Sequence, residues 1–149
     1  MADIRIKVAK DKAKLVKALR AGDGSTGPFQ TYAEAVTFGA AFGFKQNRRV
    51  PFTESSRRDP DPIPGDQFKN RVLMDLIAVT ATHDPKILQN TEDLNQAKAK
   101  IFEEYVNGGF ELLERQLNGV SDISKQILLL VNSSEESFDS EDLDVLNFL

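Results

Sequence analysis

The chain has no cysteine, no tryptophan and a single histidine, His83. Without cysteine there is no disulfide, no thiolate metal site and no cysteine nucleophile, and the composition suits a reducing compartment. His83 sits in Thr82-His-Asp-Pro85, the context of a solvated helix end. No partner group is fixed beside it, so neither a catalytic triad nor a histidine-based metal site is available. Long apolar runs are missing as well. The longest, around Ile127 to Val131, is far too short to cross a bilayer. The opening MADIRIKVAKDKAKLVKAL is charged throughout, with no apolar stretch of signal-peptide length. A cytoplasmic protein without membrane contact is expected.

At 149 residues the chain has the length of one domain, enough to bury a core without staples. Its net charge of −4 conceals an asymmetry. Up to Arg58 there are 12 Lys/Arg against 5 Asp/Glu, a balance of +7; from Asp59 onward there are 7 against 18, a balance of −11. Such a division suggests a basic surface facing a polyanion and an acidic part with another task. The plainer alternative is two halves that neutralise each other when packed.

Along the chain, Ile4, Ile6 and Val8 alternate with Arg5 and Lys7, the period of a short strand or extended arm. From about Ala9 to Arg20 the spacing becomes helical. Leu15, Val16 and Leu19 share one face, while Lys10, Lys14 and Lys17 lie nearly opposite. Ala21 to Pro28 is a glycine-rich turn. Gly22 and Gly27 have phosphate-loop spacing, but Pro28 and Phe29 stand where that motif needs Lys and Ser/Thr.

Thr31 and Glu34 have capping-box spacing, and the helix they open is apolar almost all round. In it Gly39 and Gly43, four apart, would let another helix approach closely, from this chain or from a second copy. They are the candidate self-association residues of a homo-oligomer. A basic segment follows, with Arg48 and Arg49 before Pro51. The run Asp59-Pro-Asp-Pro-Ile-Pro-Gly65 reads as a stiff extended connector.

The second half reads as helices. One starts near Asp66 and carries Phe68, Val72, Leu73, Leu76, Ile77 and Val79. A short turn starts at Asp84-Pro85, and a longer helix runs from about Glu92. Asn107-Gly108-Gly109 is expected to interrupt that helix, because these residues tolerate the left-handed conformation that ends helices. A last helix carries Ile123, Ile127, Leu130 and Val131. From Ser133 the chain holds six acids and no base, interspersed with Phe138, Leu143, Leu146, Phe148 and Leu149. Such tails are commonly disordered until bound; Leu143 to Leu149 could instead dock as a final helical turn.

Catalysis finds little support. Adjacent acids such as Glu103 and Glu104 point in different directions on a helix, and the tail lacks EF-hand spacing. No enzyme activity, cofactor or metal is expected. The basic half is more informative: Lys10, Lys14 and Lys17 can follow a phosphate backbone, with Arg48 and Arg49 adding contacts. Four to six such contacts would give a log–log salt slope of roughly −4 to −5. The order of strand, helix and capped helix also resembles ribbon-helix-helix DNA binders, although the glycine loop between the helices departs from that pattern.

Phe38-Gly-Ala-Ala-Phe-Gly-Phe44, Arg48-Arg-Val-Pro-Phe52 and Ile101-Phe-Glu-Glu-Tyr-Val-Asn-Gly-Gly109 together resemble a small bacterial family associated with DNA phosphorothioation (Dnd) gene clusters. The similarity covers the chain to about Leu130 and leaves the acidic tail outside. Such clusters replace a non-bridging phosphate oxygen by sulfur, or restrict DNA lacking that mark. The resemblance implies a pathway and carries no catalytic residues.

The expected architecture is mainly α: a compact helical domain with a short N-terminal extended segment and an acidic C-terminal tail. A basic N-terminal half (1–58), a proline-rich connector (59–65) and a helical second half (66–132) pack as one domain, followed by the tail (133–149). Two functions remain open. The first is a non-catalytic accessory protein of the modification or restriction system that contacts DNA through Lys10, Lys14, Lys17, Arg48 and Arg49. The second is a scaffold for other proteins of that system that does not bind DNA.

Overall fold

The computed structural model describes residues 4–22, 25–69 and 71–136. In chain order the elements are β1 (Arg5–Ile6), α1 (Ala13–Leu19), β2 (Ala21–Gly22), β3 (Ser25–Thr26), α2 (Tyr32–Lys45), β4 (Ile63–Pro64), α3 (Arg71–Thr82), α4 (Glu92–Leu117) and α5 (Ile123–Glu136). Short 3₁₀ turns lie at Lys10–Lys12, Gly65–Gln67 and Pro85–Leu88. The mainly α architecture is as expected.

At the amino end the alternation does its work: Ile4, Ile6 and Val8 are buried, while Arg5 and Lys7 face solvent. β1 pairs antiparallel with β4, Arg5 opposite Pro64 and Ile6 opposite Ile63. Its partner strand comes from the same chain, unlike the two-copy ribbon of a ribbon-helix-helix protein. The pairing also corrects the connector reading of 59–65. Pro60 and Ile63 are buried, and Gly65 N–H donates to the Ile4 carbonyl at 2.6 Å. Only Ile63–Pro64 is extended as a strand partner requires; Asp59 takes φ 49 and the Asp59-Pro60 peptide bond is cis. The glycine-rich turn closes as the β2–β3 hairpin.

The caps at Thr31 and Asp84 are made, whereas Asp66, expected to cap the next helix, lies in a 3₁₀ turn ahead of it. Thr31 Oγ1 accepts from Glu34 N–H at 3.1 Å, and Glu34 reaches back to Gln30 N–H. Asp84 accepts from Lys86 N–H ahead of its turn. In α3 the helix starts later than expected, at Arg71, and buries Met74, Ile77 and Ala78. Val72 and Leu76, two of the apolar residues named along it, are 74% and 54% exposed. The tail reading also shifts, because α5 continues to Glu136. Residues 137–149, including the proposed final turn at Leu143 to Leu149, lie outside the described residues.

The largest correction concerns α4, which runs unbroken for 26 residues through Asn107-Gly108-Gly109. Its glycines are sites of close approach. A Cβ on Gly109 would overlap the Gly39 carbonyl oxygen, and one on Gly43 would overlap the Tyr105 carbonyl oxygen. Gly39 lies over the Phe110 ring, and Gly108 meets the Arg48 carbonyl. So α2 and α4 cross backbone against backbone, and this contact overrides a helix propensity deficit of about 1 kcal/mol per glycine. Gly39 and Gly43 are buried there. The helix that their missing side chains admit is α4 of the same chain, so they present no open face to a second copy.

Around this crossing Phe102, Val106, Phe110 and Leu113 of α4 form the core with Val36 and Ala40 of α2 and Met74 and Ile77 of α3. Phe68 meets Phe102 edge-on at 5.7 Å, and Phe44 meets Tyr105 at 5.5 Å. Gly109→Ala or Gly43→Ala should therefore cost about 1–3 kcal/mol through overpacking. The expected result is a clear drop in Tm by circular dichroism, and an unchanged Tm would rule out so close a crossing.

Candidate functional site

The five cations expected to contact phosphate do not form one surface. α2 ends in a Schellman cap: Asn47 takes φ 54, Asn47 N–H donates to Phe44 O, and Arg48 N–H donates to Gly43 O. The cap turns the chain so that 48–50 lies along α4. Val50 N–H then donates to the Glu104 carbonyl, and Asn107 Nδ2 donates to the Val50 carbonyl. Held this way, Arg48 pairs with Glu111 at 2.5 Å. Arg49 pairs with Glu104 at 2.7 Å and lies over the Tyr105 ring. Both arginines are thus engaged by α4 carboxylates, and the Glu104 side chain is only 9% exposed.

Lys17 is likewise engaged, with its ammonium 2.9 Å from Asp59. That lysine, with the Tyr32 hydroxyl donating at 2.9 Å, holds the Asp59 carboxyl below the usual carboxylate range. Burial and the bond to Asp59 push the Tyr32 hydroxyl up, while the Arg20 guanidinium over its ring opposes them. Lys12 was not singled out by the sequence. It is buried against α4, near Glu114 at 3.7 Å and its neighbour Asp11 at 3.0 Å.

Lys10 and Lys14 remain, both exposed and without an ion pair among the described residues. The structure brings two further cations to them. Ala9 forms a bridge with Ser55, Lys10 N–H donates to the Glu54 carbonyl at 3.0 Å, and Ser56 N–H donates to the Val8 carbonyl at 2.8 Å. This edge pairing sets 53–58 beside the start of α1. It opens a groove of about 710 Å³ lined by Lys10, Ala13, Lys14, Thr53, Glu54, Ser55, Ser56, Arg57 and Arg58. Four cations face it with one carboxylate. Arg57 and Arg58 were visible in the sequence as a basic pair, but nothing local to them indicated Lys10 and Lys14 as neighbours 43 or more positions away.

A larger cleft, about 960 Å³, lies on the other side of Thr53 and Ser55, which line both. Arg5, Lys7 and Lys100 meet Glu92, Glu103 and Glu104 there, together with Phe52, Asn90, Asn95 and Gln96. Three cations face three carboxylates there, so its pull on a polyanion is weaker than that of the smaller groove. Its distinctive group is Glu103, whose carboxyl burial pushes up to about 7 against a hydrogen bond of 2.5 Å from Lys7 N–H. Glu103 and Glu104 take different partners, the Lys7 N–H and the Arg49 guanidinium, yet both line this cleft. His83 is an exposed helix-end residue with φ 55. Among the described residues no three His, Asp or Glu side chains come together as a metal site, and no helix is long and apolar enough to cross a membrane.

Residues 5–148 match the family model described as DNA sulphur modification system-associated protein 4. The match continues through the acidic tail, beyond the boundary near Leu130 drawn from the motifs. No curated protein and no solved structure matches the chain.

Removing Arg49 should act on the fold. Arg49→Ala leaves Glu104 nearly buried without its partner and should cost roughly 1–3 kcal/mol in urea denaturation. Lys14→Ala should stay within about 0.5 kcal/mol of the parent. Glu103 contributes a pH dependence. Its folded pKa lies above the ordinary 4.5, so the folded state binds the extra proton between about pH 4.5 and 7. That stabilisation is complete below pH 4.5 and is lost as pH rises through about 7. Glu103→Gln should therefore gain on the parent between pH 5 and pH 8, by on the order of 1–2 kcal/mol once solvent on the open side is allowed for. Parallel melting curves at the two pH values would sink the assignment.

Proposed function

Since the chain belongs to the DNA sulphur modification system-associated protein 4 family, we propose that it is a non-catalytic accessory protein of such a system that contacts DNA through its basic N-terminal part. The observation that carries this reading is the groove at Lys10, Lys14, Arg57 and Arg58, four cations with no ion pair among the described residues. Lys12, Lys17, Arg48 and Arg49 of the same half are paired with carboxylates, whereas the groove sets four cations together. Ammonium and guanidinium groups along an open groove suit a phosphate backbone, and they fix position on DNA without reading sequence. Lys10 and Lys14 keep their expected role here, Arg57 and Arg58 replace Arg48 and Arg49, and Lys17 flanks the groove through its pair with Asp59. The working compartment under this reading is the cytoplasm, and the natural partners are other proteins of the same system.

A second reading has its own support. Val72 and Leu76 on α3, and Leu128 and Leu129 on α5, are large apolar side chains left exposed. They suit a scaffold that joins proteins of the system, or a second copy of this chain, without touching DNA.

Fluorescence anisotropy with labelled duplex, with and without phosphorothioate, over a salt series separates the two. Contact through up to four phosphates predicts micromolar or tighter binding at low salt and a log–log slope of about −3 to −4. Reversing Lys10, Lys14, Arg57 and Arg58 to glutamate should abolish binding with the circular dichroism spectrum unchanged. Absence of binding by the parent at low salt would leave the scaffold reading.

A further inference from the structure

The groove and the acidic end of the chain are complementary. Residues 139–144 carry Asp139, Glu141, Asp142 and Asp144, and no base occurs anywhere in 137–149. We propose that this acidic segment docks in the groove of Lys10, Lys14, Arg57 and Arg58, occupying it in the absence of nucleic acid. The inference rests on the same reading of the groove as a polyanion surface, and names its resident competitor.

Three observations carry it. The first is charge: four cations without an ion pair among the described residues face the groove, and four acids fall within six positions of the tail. The second is reach. The described chain ends with α5 at Glu136, and α5 packs against α1, whose first turn carries Lys14. Asp144 stands eight positions beyond Glu136, a span of up to about 26 Å. That span exceeds the radius of gyration of roughly 15 Å expected of a domain of this size. The third is that the family match extends through residue 148, so the segment belongs to the matched sequence.

The size of the effect follows from tethering. A segment tethered a few residues away is held at an effective concentration on the order of millimolar, similar to the affinity expected of a few exposed ion pairs. The docked tail should weaken DNA binding about two- to tenfold, with the difference shrinking as salt rises.

Two measurements on the full-length chain test this. Zero-length carbodiimide coupling joins a lysine amine to a carboxylate only when they touch. Mass spectrometry should find Lys10 or Lys14 coupled to residues 139–144, with the product lost at about 0.5 M salt. A mixture of light and isotope-labelled chains identifies the occupant: coupling within one chain supports the proposal, and coupling between chains, or of the tail to other lysines only, overturns it. Separately, the variant Asp139→Asn, Glu141→Gln, Asp142→Asn, Asp144→Asn should bind duplex DNA about two- to tenfold tighter than the parent at low salt. Equal affinity of parent and variant, both binding, overturns the proposal while leaving the DNA reading intact. Intrachain coupling with no DNA binding by either chain supports the docking and removes the DNA reading.

Discussion

The arrangement depends on the crossing of α2 and α4 at Gly39, Gly43, Gly108 and Gly109. Missing side chains at Gly43 and Gly109 let the two helix backbones touch, Gly39 makes room for the Phe110 ring, and Gly108 admits the Arg48 carbonyl beside them. With Gly108 against the Arg48 carbonyl, the segment after α2 lies flat on α4, where Val50 and Asn107 tie it down. The same crossing carries the first half of the chain onto the second. Phe110 fills the space over Gly39, and Tyr105 turns its ring toward Phe44 and Arg49. Glycine is a poor helix former in isolation, but here the loss in propensity is recovered as close packing.

The crossing also redistributes charge. A sequence divided into +7 and −11 suggests a basic surface and an acidic one. In the folded protein much of that division closes on itself: Arg48 and Arg49 meet Glu111 and Glu104, Lys12 meets Glu114, and Lys17 meets Asp59. Mutual neutralisation therefore accounts for several cations that looked available. Four of the positive groups left over, Lys10, Lys14, Arg57 and Arg58, gather where the 53–58 edge pairs beside the start of α1. A surface for polyanions is thus defined less by how many cations the half contains than by which ones the packing leaves unanswered.

The two depressions flanking Thr53 and Ser55 illustrate the difference between volume and potential. The larger one sets three cations against three acidic side chains, one of them pushed toward neutrality by burial. The smaller is nearly uniform in sign. A phosphate backbone responds to summed charge over an open groove, so the smaller depression is the better match.

The local features were legible in the residues alone. Period-2 alternation placed Ile4, Ile6 and Val8 inside, Thr31 and Asp84 declared their caps, and the apolar helix from Tyr32 announced its burial; each depends on residues within a turn or two of one another. The motifs of 38–52 and 101–109 also pointed to the family. Interactions distant in sequence were decided only by the tertiary structure. Asn107-Gly108-Gly109 signals a helix end unless α2 is present to fill the gap, so a local rule failed where a long-range contact won. Val72 and Leu76 follow helical spacing, yet α3 meets the core on another side. Lys10 and Arg58 become neighbours only because 53–58 pairs with the strand-like edge before α1. Sequence pattern records what each segment can bury or cap, whereas which charges remain open depends on the carboxylate that folding brings alongside.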